Sequence, residues 1–466
     1  MIVRTLTVAM LLGSAAMAQS PARPGEAQFR DLYKQLVETD TTLSAGSCTL
    51  AAQQIATRLK AAGFAEADLT LFSVPEAPKE GGLVAVLPGK DAKAKAILLL
   101  AHIDVVEAKK ADWTRDPFTL VEENGFFTAR GVADDKAMAA IFADSLIRMK
   151  SEPRMRRTVK LALTCGEETT GVFNGAEWLA ANKRDLIDAQ FALNEGGGGR
   201  VDPDGKPRVL ALQVGEKLSQ NYTLEARNPG GHSSMPRPDN AITDLAAAVT
   251  RIQAHKFPVK IDAVTGEFFR RGAKLYPAPI GPAMTAIAAN PNDAAAEALL
   301  SRDPLLSSTL RTSCVVTLLD AGHAENALPQ RAAANVNCRI FPGETIEGTR
   351  DALLTVIGNP ALTLTAKPRR GPVSTPTPLD PRIVGPAEKL AAEMFPGLAL
   401  LPTMSTGATD SIYLAAVGIP SYGVPGVLYE ADGGGVHGLN ERIRVKSVLD
   451  ARDYLHRLVR IYAEAK

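Results

Sequence analysis

Several side chains that could bind a metal ion or take part in catalysis stand directly after apolar runs that are typical of buried strands. His102 ends the run AILLLAH, and Asp104 follows it by two residues. A lone histidine at a strand end is more often a packed core residue, but a nearby carboxylate can orient the imidazole and raise its basicity as a ligand. We therefore interpret His102 as a candidate metal ligand and Asp104 as the carboxylate that orients it.

A second motif, RGVADDKAMAA, places two aspartates at the transition from a loop to a helix. Capping of the helix N-terminus is the ordinary role of an aspartate at such a point. Asp134 and Asp135 cannot both cap one helix, so we expect one of them to be available for a role other than capping.

Two adjacent glutamates, Glu167 and Glu168, follow the apolar run VKLALTCG. Side chains that are adjacent in an extended segment diverge, so one carboxylate can face a metal ion and the other a water molecule beside it. A solvated acidic loop is the alternative interpretation of this pair. Glu195 after a further apolar run and His437 in GGGVHGLNERI complete the candidate set.

The charges of this set favour a metal site over a bare carboxylate cluster. If Asp134, Glu168 and Glu195 converged without cations, the three like charges would repel and at least one carboxylate would take up a proton. Two divalent ions would instead be matched by three carboxylates, two neutral imidazoles and one hydroxide, which leaves no large residual charge. Imidazole and carboxylate ligands suit zinc, with cobalt or manganese as alternatives.

Short, nearly continuous apolar runs alternate with helix-like segments over the first half of the chain. Two helices within 29–62 are followed by runs at 83–89, 96–104, 158–168 and 189–197, with helical patterns at 135–149 and 175–182. This alternation predicts an α/β domain with a mostly parallel sheet and helices on both faces. Ligands bind at the carboxyl ends of the strands in such sheets, which is where His102, Glu167 and Glu195 fall.

The pattern changes from about Gly215. The order strand, helix, strand, strand, helix, strand predicts an α+β domain of the ferredoxin-like type, enlarged by a Pro-, Gly- and Ala-rich insertion at 258–310. The α/β pattern resumes at about Pro378. We therefore expect a domain of residues 215–377 that is inserted into a catalytic domain of residues 22–214 and 378–466.

The N-terminus has the features of a secretory signal peptide, with Arg4, an apolar run from Leu6 to Ala16 and the cleavage pattern Ala16-Met17-Ala18. The run is shorter than the ~20 residues of a membrane span. Arg4 is the only basic residue before it, which disfavours a mitochondrial targeting helix. We expect residues 1–18 to be removed on export to the periplasm or the medium.

Four cysteines follow, and none has CxxC spacing, so neither a redox motif nor a zinc–thiolate site is indicated. Cys165 ends an apolar run, and we expect it to be a buried free thiol. Cys314 and Cys338 lie in two strand-like runs that can be neighbours. A disulfide between them is the less favoured of two interpretations.

The overall composition excludes several classes of function. With 45% hydrophobic and 22% charged residues, the 466-residue chain is that of a folded protein and not of a disordered one. Its 52 Lys and Arg against 51 Asp and Glu give no basic footprint for nucleic acid or for an anionic membrane. We expect a small ligand of neutral or mixed charge, and neither nucleic acid nor a membrane as a partner.

Seven motifs occur along the chain in the order HID, ADDK, CGEE, LNEGG, GGHSSMP, ENALP and GVHGLNE. Together they resemble metallopeptidase family 20, the co-catalytic zinc hydrolases that include glutamate carboxypeptidase, carboxypeptidase S, the aminoacylases and succinyl-diaminopimelate desuccinylase. The pattern is closest to glutamate carboxypeptidase and carboxypeptidase S. The resemblance covers nearly the whole chain after residue 18, and it implies a hydrolase with two zinc ions in each subunit.

The resemblance also implies a role for each candidate residue. His102 and Glu195 match the ligands of one zinc ion, and Glu168 and His437 match those of the other. Asp134 matches the carboxylate that bridges the two ions. Glu167 matches the general base, and Asp104 matches the residue that orients His102.

The smaller domain serves in this family as a lid and as the dimerisation surface, so the resemblance implies a homodimer. His232 in GGHSSMP matches the histidine that crosses to the other subunit's active site and stabilises the oxyanion. Asn326 and Arg339 match lid residues that hold the substrate's carbonyl and carboxylate. The alternatives are a turn cap before Pro329 for Asn326 and a surface strand residue for Arg339.

Two segments depart from the family pattern. Ala137 in ADDKA stands where a glycine is common, and TGATDS at 406–411 is a loose version of a glycine-rich segment that contacts the substrate carboxylate. These departures affect the prediction of the substrate more than the prediction of the metal chemistry.

The expected function is a secreted or periplasmic dizinc metallohydrolase that cleaves an amide bond next to a free carboxylate, either in a small peptide or in an N-acyl amino acid. One alternative is a co-catalytic zinc aminopeptidase or dipeptidase, which would recognise a free amine. An alternative of another class is a metal-free dimeric binding protein on the same fold. The complete set of candidate ligands disfavours this last alternative.

Overall fold

The computed structural model describes residues 22–169, 172–369, 371–373 and 376–466. The predicted signal peptide, residues 1–18, lies outside these residues, and so do Ser374 and Thr375 near the predicted domain boundary at 377. Within the described residues, no helix has both the length and the apolar character that crossing a bilayer requires.

The strands of the described residues form a large sheet, a four-stranded sheet and two smaller sheets. In chain order they are β1 (Leu69–Val74), β2 (Ala77–Leu87), β3 (Ile97–His102), β4 (Val121–Glu123), β5 (Phe126–Thr128), β6 (Val159–Thr164), β7 (Phe191–Asn194), β8 (Gly198–Val201), β9 (Pro207–Glu216), β10 (Leu218–Arg227), β11 (Gly231–His232), β12 (Ser313–Ala321), β13 (Ala327–Leu328), β14 (Arg331–Ile340), β15 (Leu362–Ala366), β16 (Leu400–Ser405), β17 (Ser421–Gly423), β18 (Leu428–Tyr429) and β19 (Arg442–Arg444).

The α-helices cover these sheets. They are α1 (Glu26–Glu38), α2 (Cys48–Ala61), α3 (Lys136–Lys150), α4 (Gly175–Asn182), α5 (Arg184–Ile187), α6 (Ala241–Ala254), α7 (Ala263–Gly272), α8 (Ile280–Ala289), α9 (Ala294–Leu300), α10 (Pro304–Thr309), α11 (Ile346–Ile357), α12 (Pro381–Met394), α13 (Ser411–Ala416) and α14 (Val445–Glu464). Single turns of 3₁₀ helix occur at Glu66–Asp68, Lys110–Asp112, Ala273–Leu275 and Gly433–Gly435.

Strand β3 shows why helices cover both faces of the large sheet. All six of its residues are buried, and side chains alternate between the two faces of a strand. Ile97, Leu99 and Ala101 pack in one core with α1, α2, α3, α12 and α14. Leu98 and Leu100 pack in a second core with α4, α5 and α13.

The centre of the large sheet is parallel and its margins are partly antiparallel. β3 pairs in parallel with β6 and β7, and β17 pairs in parallel with β7. β1 and β2 form a hairpin that pairs antiparallel with β6, and β9 pairs antiparallel with both β8 and β17. The predicted α/β class with a mostly parallel sheet is confirmed. The antiparallel hairpin was not predicted, because the run at 83–89 is as apolar as the central parallel strands.

The second sheet has the order β12-β14-β10-β15, and its strand pairs are antiparallel. On β14, alternate residues from Ala332 to Ile340 pack against α6 and α11 in a separate core. This order, with two helices on one face, is the predicted ferredoxin-like arrangement, which is confirmed.

The insertion at 258–310 is helical. Helices α7 to α10 enclose their own core, which includes Phe269, Met284 and Leu306. Helix α7 lies against the large sheet, where Arg271 Nη1 donates to Glu388 Oε1 at 3.0 Å and to Leu400 O at 3.3 Å. The insertion therefore connects the small sheet to the large one.

Two disulfides correct the expectations for the cysteines. Cys165 is bonded to Cys48 at the start of α2, so the predicted free thiol is wrong. The sequence conceals this pair because 117 positions separate its members. Cys314 and Cys338 lie opposite each other in β12 and β14 and are also bonded, so the less favoured interpretation holds. Glu80 Oε2 lies 3.1 Å from Cys165 Sγ, but the bonded sulfurs offer no thiolate for a metal.

Candidate active site

The carboxyl ends of three neighbouring strands bring the candidate residues to one edge of the large sheet. His102 is the last residue of β3, the acidic pair of CGEE follows β6, and Glu195 follows β7. Asp134 precedes α3, and His437 lies between β18 and β19. His437 has a φ of 59°, a backbone conformation that non-glycine residues seldom adopt and that is found disproportionately at functional sites.

Two groups of ligand atoms share Asp134. His102 Nε2 lies 3.2 Å from Asp134 Oδ1 and 3.9 Å from Glu195 Oε2. His437 Nε2 lies 3.1 Å from the other oxygen, Asp134 Oδ2, and 2.9 Å from Glu168 Oε1. Within each group, the ligand atoms all lie within 4.8 Å of one another. The structure thus brings together all five residues predicted as metal ligands, divided between two groups as the resemblance implied.

The imidazoles and carboxylates of this centre shift one another's pKa. Burial opposes the protonation of His102, but hydrogen bonds with Asp104 and Asp134 outweigh it and hold the pKa of His102 well above its usual range. Hydrogen bonds with Asp134 and Glu168 raise the pKa of His437 to about 10. Burial raises the pKa of Glu195 well above its usual value. Cations in the place of these protons would stabilise the same carboxylates, so the donors fit a centre of divalent ions.

Asp104 supports the centre from behind His102. Its backbone carbonyl oxygen lies 3.1 Å from His102 Nδ1, whereas its carboxylate Oδ1 lies 3.5 Å away. Both groups face Nδ1, and the carbonyl oxygen is the closer one. The other ring nitrogen, Nε2, therefore faces Asp134. Asp104 Oδ2 accepts a hydrogen bond from the backbone N–H of Glu168 at 3.0 Å. Asp104 thus connects His102 to the loop that carries the acidic pair.

Asp135, the second aspartate of ADDK, does not take the capping role that was its alternative. It occupies the N-cap position of α3, but its side chain makes no capping hydrogen bond. Burial raises the pKa of Asp135 well above its usual value. The next residue, Lys136, is fully buried and donates from Nζ to Thr39 O at 2.8 Å.

Glu167 belongs to neither group of ligand atoms in the described part of the chain. It lines a cavity of about 340 Å³. Residues of β10 and of the segments 368–369 and 408–413 also line this cavity. Burial, opposed by the charge of His102 and reinforced by that of Asp410, raises the pKa of Glu167 well above its usual value. A buried carboxyl group with a raised pKa at a cavity wall is suited to proton transfer.

A buried ion pair that sequence reasoning missed joins two loops of the centre. Glu441 accepts hydrogen bonds from Arg130 Nη1 and from the backbone N–H groups of Gly131 and Ala133, each at 2.9 Å. Arg130 Nη2 donates to Gly438 O at 2.7 Å. The loop before Asp134 is thereby fixed to the loop of His437. Both residues stand in quoted motifs, but 311 positions separate them and only the fold shows that they pair.

A second missed residue, Asp410 of TGATDS, holds the loop that carries Glu167. Asp410 is buried and accepts hydrogen bonds from Asn174 Nδ2 at 2.7 Å and from Thr164 Oγ1 at 3.2 Å. Asn174 Nδ2 also donates to Gly166 O at 3.1 Å. Burial raises the pKa of Asp410 to about 6. The segment TGATDS therefore stabilises the loop that carries Glu167.

The three candidates of the smaller domain lie elsewhere. His232 is exposed on β11, and the backbone N–H of the next residue, Ser233, donates to Asn326 O at 3.1 Å, so His232 and Asn326 are neighbours. Arg339 is half-buried on β14 opposite Ser219 of β10, and burial lowers the pKa of Arg339. No hydrogen bond or ion pair in the described residues joins these three side chains to the candidate metal ligands.

Comparison with known proteins agrees with this geometry. The human N-fatty-acyl-amino acid synthase/hydrolase PM20D1 is 29% identical over 391 residues, which cover 81% of this chain and 76% of that protein. The probable carboxypeptidase S-like 2 of Dictyostelium discoideum is 26% identical over 387 residues, which cover 80% and 72%. The solved structure of the M20 family metallo-carboxypeptidase Sso-CP2 from Sulfolobus solfataricus has a TM-score of 0.67 at 18% identity and covers 94% of this chain and 100% of that one.

The structural likeness shows the shared fold. The family model for Peptidase family M20/M25/M40 matches residues 98–461, a span that contains every candidate metal ligand and Glu167. The chain therefore belongs to peptidase family M20/M25/M40, a family of metallopeptidases and amidohydrolases.

Proposed function

We propose that the protein is an exported dizinc hydrolase that cleaves the amide bond of N-acyl amino acids, or the C-terminal bond of small peptides, next to a free carboxylate. One observation carries the proposal: Asp134 presents one carboxylate oxygen to His102 and the other to His437. A carboxylate shared in this way suits a pair of divalent ions. The likeness to an N-fatty-acyl-amino acid synthase/hydrolase favours N-acyl amino acids over peptides.

We assign His102, Glu195 and Asp134 to one zinc ion, and Glu168, His437 and Asp134 to the other. When bound, the two ions would polarise the scissile carbonyl and lower the pKa of the attacking water. Cobalt or manganese would suit the same donors. The His102 side chain is 2% exposed whereas that of His437 is 54% exposed, so we expect the ion beside His437 to exchange more readily.

Glu167 is the general base of this proposal. It takes a proton from the attacking water and returns it to the nitrogen of the leaving amine. Its position at the wall of the cavity and its raised pKa support this role. Its neighbour Glu168 lies 2.9 Å from His437, which supports a ligand role for Glu168 instead.

We propose that the protein forms a homodimer and that His232 stabilises the oxyanion in the other subunit's site. Within one chain, His232 is exposed and has no contact with the ligand groups in the described residues. The edge strand β12 exposes Leu318 and Leu319, each at 66%, and Val315 at 50%. Apolar side chains on a strand at the edge of a sheet form a surface that a second copy can cover.

The substrate's carbonyl and carboxylate are assigned to Asn326 and Arg339. The guanidinium of Arg339 forms no ion pair with any described residue, although burial lowers its pKa. A substrate carboxylate would supply a charge-assisted partner for this guanidinium.

Export is proposed from the signal-peptide pattern of residues 1–18. Two disulfides in the described chain support it, because disulfides persist in oxidising compartments such as the periplasm and the extracellular medium.

The proposal is tested by measuring metal content by mass spectrometry beside hydrolysis of N-acyl amino acids, dipeptides and their C-terminally amidated forms. We expect two ions in each subunit, loss of hydrolysis on chelation and recovery with zinc or cobalt. Active enzyme without bound metal would contradict the metal assignment. Hydrolysis that requires a free amine and ignores amidation would indicate an aminopeptidase.

A further inference from the structure

The cavity beside Glu167 lies between the large sheet and the small one. Its walls come from the loop after β6, the first residues of β10, the segment after β15 and the start of α13. Its volume of about 340 Å³ is sufficient for an amino acid, since small-molecule sites range from about 300 to 1,000 Å³.

The proposed reaction indicates which half of the substrate this cavity receives. This step rests on the proposed function, in which Glu167 returns its proton to the leaving nitrogen. A general acid must lie within hydrogen-bond reach of the atom that it protonates. The leaving amine, which is the amino acid half of an N-acyl amino acid, therefore lies on the side of Glu167.

Arg369 is the only lysine or arginine among the described residues that line the cavity. Its Nη1 donates to Ser219 O at 2.7 Å and its Nη2 donates to Pro372 O at 2.5 Å. Its Nε is buried and has no hydrogen-bond partner in the described part of the chain. A guanidinium has five N–H donors, so the two carbonyls leave capacity for a further acceptor. The remaining Nη hydrogens can donate to an anionic ligand in the cavity.

The other side chains of the cavity restrict the amino acid further. Ile412 and Tyr413 contribute apolar surface to its wall. Asp410 and Glu177 also line it, and both are carboxylates. Asp410 already accepts hydrogen bonds from Asn174 and Thr164. An acidic side chain on the amino acid would be repelled by these carboxylates, whereas an apolar one would pack against Ile412 and Tyr413.

We infer that this cavity is the subsite for the amino acid half of the substrate, in which Arg369 pairs with the free α-carboxylate and Ile412 and Tyr413 contact an apolar side chain. Arg339, which matches the family's carboxylate-holding lid residue, lies opposite Ser219 in the strand register but is not among the described residues that line the cavity. Arg369 is thus a specificity residue additional to Arg339.

The test compares the metal-loaded wild type with Arg369→Ala and Arg369→Lys on N-acyl-phenylalanine, its C-terminal amide and N-acyl-glutamate, with one acyl chain throughout. Arg369→Ala should lower kcat/KM for the free acid roughly 10- to 100-fold, mainly through KM, because a hydrogen-bonded charge pair is lost. The rate on the amide should change little. Arg369→Lys, which keeps the charge without the forked geometry, should recover part of the loss. The wild type should prefer N-acyl-phenylalanine to N-acyl-glutamate.

Lys367→Ala is the matched control, since it removes an exposed cation two residues away that is not among the described lining residues. It should keep the wild-type preference for acid over amide. Equal losses on acid and amide in Arg369→Ala would show that Arg369 only supports the backbone of Ser219 and Pro372, and would overturn the inference. If Arg369→Ala kept the wild-type preference for the free acid over the amide, the inference would be overturned as well. A wild type that hydrolyses no N-acyl amino acid or dipeptide is a different result, which rejects the proposed function and the inference together.

Discussion

Glu441 and Arg130 form an ion pair of 2.9 Å whose side chains are only 1% and 3% exposed. The pair lies beside the proposed metal centre without contributing a donor to either group of ligand atoms in the described residues. It holds the backbone before Asp134 on one side and the loop of His437 on the other. The position of two proposed ligands thus depends on a contact between residues that are not ligands.

Loss of this pair should affect both folding and metal binding. Glu441→Ala should lower the free energy of unfolding by about 3–5 kcal/mol, because Arg130 would stay buried without its partner. Urea unfolding measures this effect, and competition with a chelator measures the zinc affinity, which should also fall. Glu123→Ala is the control, since it removes only an exposed partner of Arg115 and should change stability by less than about 1 kcal/mol. Unchanged zinc affinity in Glu441→Ala would show that the pair does not position the ligands.

The two glutamates of CGEE should separate catalysis from metal binding. Glu167→Ala should keep both ions and lose roughly 10²- to 10⁴-fold in kcat, as expected for a missing general base. Glu168→Ala should lose an ion, because Glu168 lies in a ligand group with Asp134 and His437. Metal content and kinetics, measured on both purified variants, show which glutamate binds metal and which acts in catalysis. Loss of metal from Glu167→Ala alone would mean that the roles are reversed.

The proposed action of His232 in the other subunit can be tested with hybrid dimers. His232→Ala and Glu167→Ala subunits should each be nearly inactive. After subunit exchange, a mixture should recover activity, because one of the two sites in a hybrid has both residues intact. Exchange is verified with two affinity tags. Leu318→Glu should prevent recovery by placing a charge on the apolar edge of β12, and sedimentation should show a monomer. Verified exchange without recovery would exclude action between subunits.

Buried His456 should make stability depend on pH. Burial and the positive charges of Arg148, Arg460 and Arg452 lower the pKa of His456 to about 3, although Glu152 lies 3.5 Å away. In the unfolded chain the imidazole has a pKa of about 6.5. Between about pH 6.5 and 3 the unfolded state therefore binds more protons than the folded state, so the free energy of unfolding falls as the pH falls. The contribution reaches about 1.4 kcal/mol per pH unit. Urea unfolding across this range should show a smaller decline in His456→Gln. Parallel curves would contradict the assignment.

The two disulfides should contribute unequally to stability. In the chain-entropy treatment, the Cys48–Cys165 bond closes a loop of 117 positions and contributes about 5 kcal/mol, whereas the Cys314–Cys338 bond closes 24 positions and contributes about 3 kcal/mol. Replacing both cysteines of a pair by serine and measuring urea unfolding compares them. A larger loss from the Cys314 and Cys338 pair would reverse the expected order.

The sequence predicted those parts of the site that depend on strand ends. His102 and Glu195 each follow a continuous apolar run, and such runs end at the ligand-binding edge of a parallel sheet. The pairing of Glu441 with Arg130 was beyond sequence reasoning, because it depends on backbone N–H groups that only the folded loop presents. Arg369 was missed because nothing in its sequence neighbourhood shows that its segment lies beside Glu167.

The helices of 258–310 were missed for a different reason. Their Pro, Gly and Ala content obscured the periodicity, yet their starts carry readable signals. Asp262 and Thr265 form a capping box, and Asp293 caps α9. Asp303 caps α10, with Pro304 in its first turn. Capping residues of this kind predict helix starts.

The contact of α7 with the large sheet limits how the small sheet can move. The insertion leaves the small sheet after α6 and returns to it at β12, yet Arg271 of α7 bonds to Glu388 and to Leu400 on the other side. A rotation of the small sheet towards the metal centre must therefore either break this contact or bend the connecting segments near 255–262 and 310–313. A rate-limiting opening or closing would be governed by these two connections as much as by the crossing at 215–218.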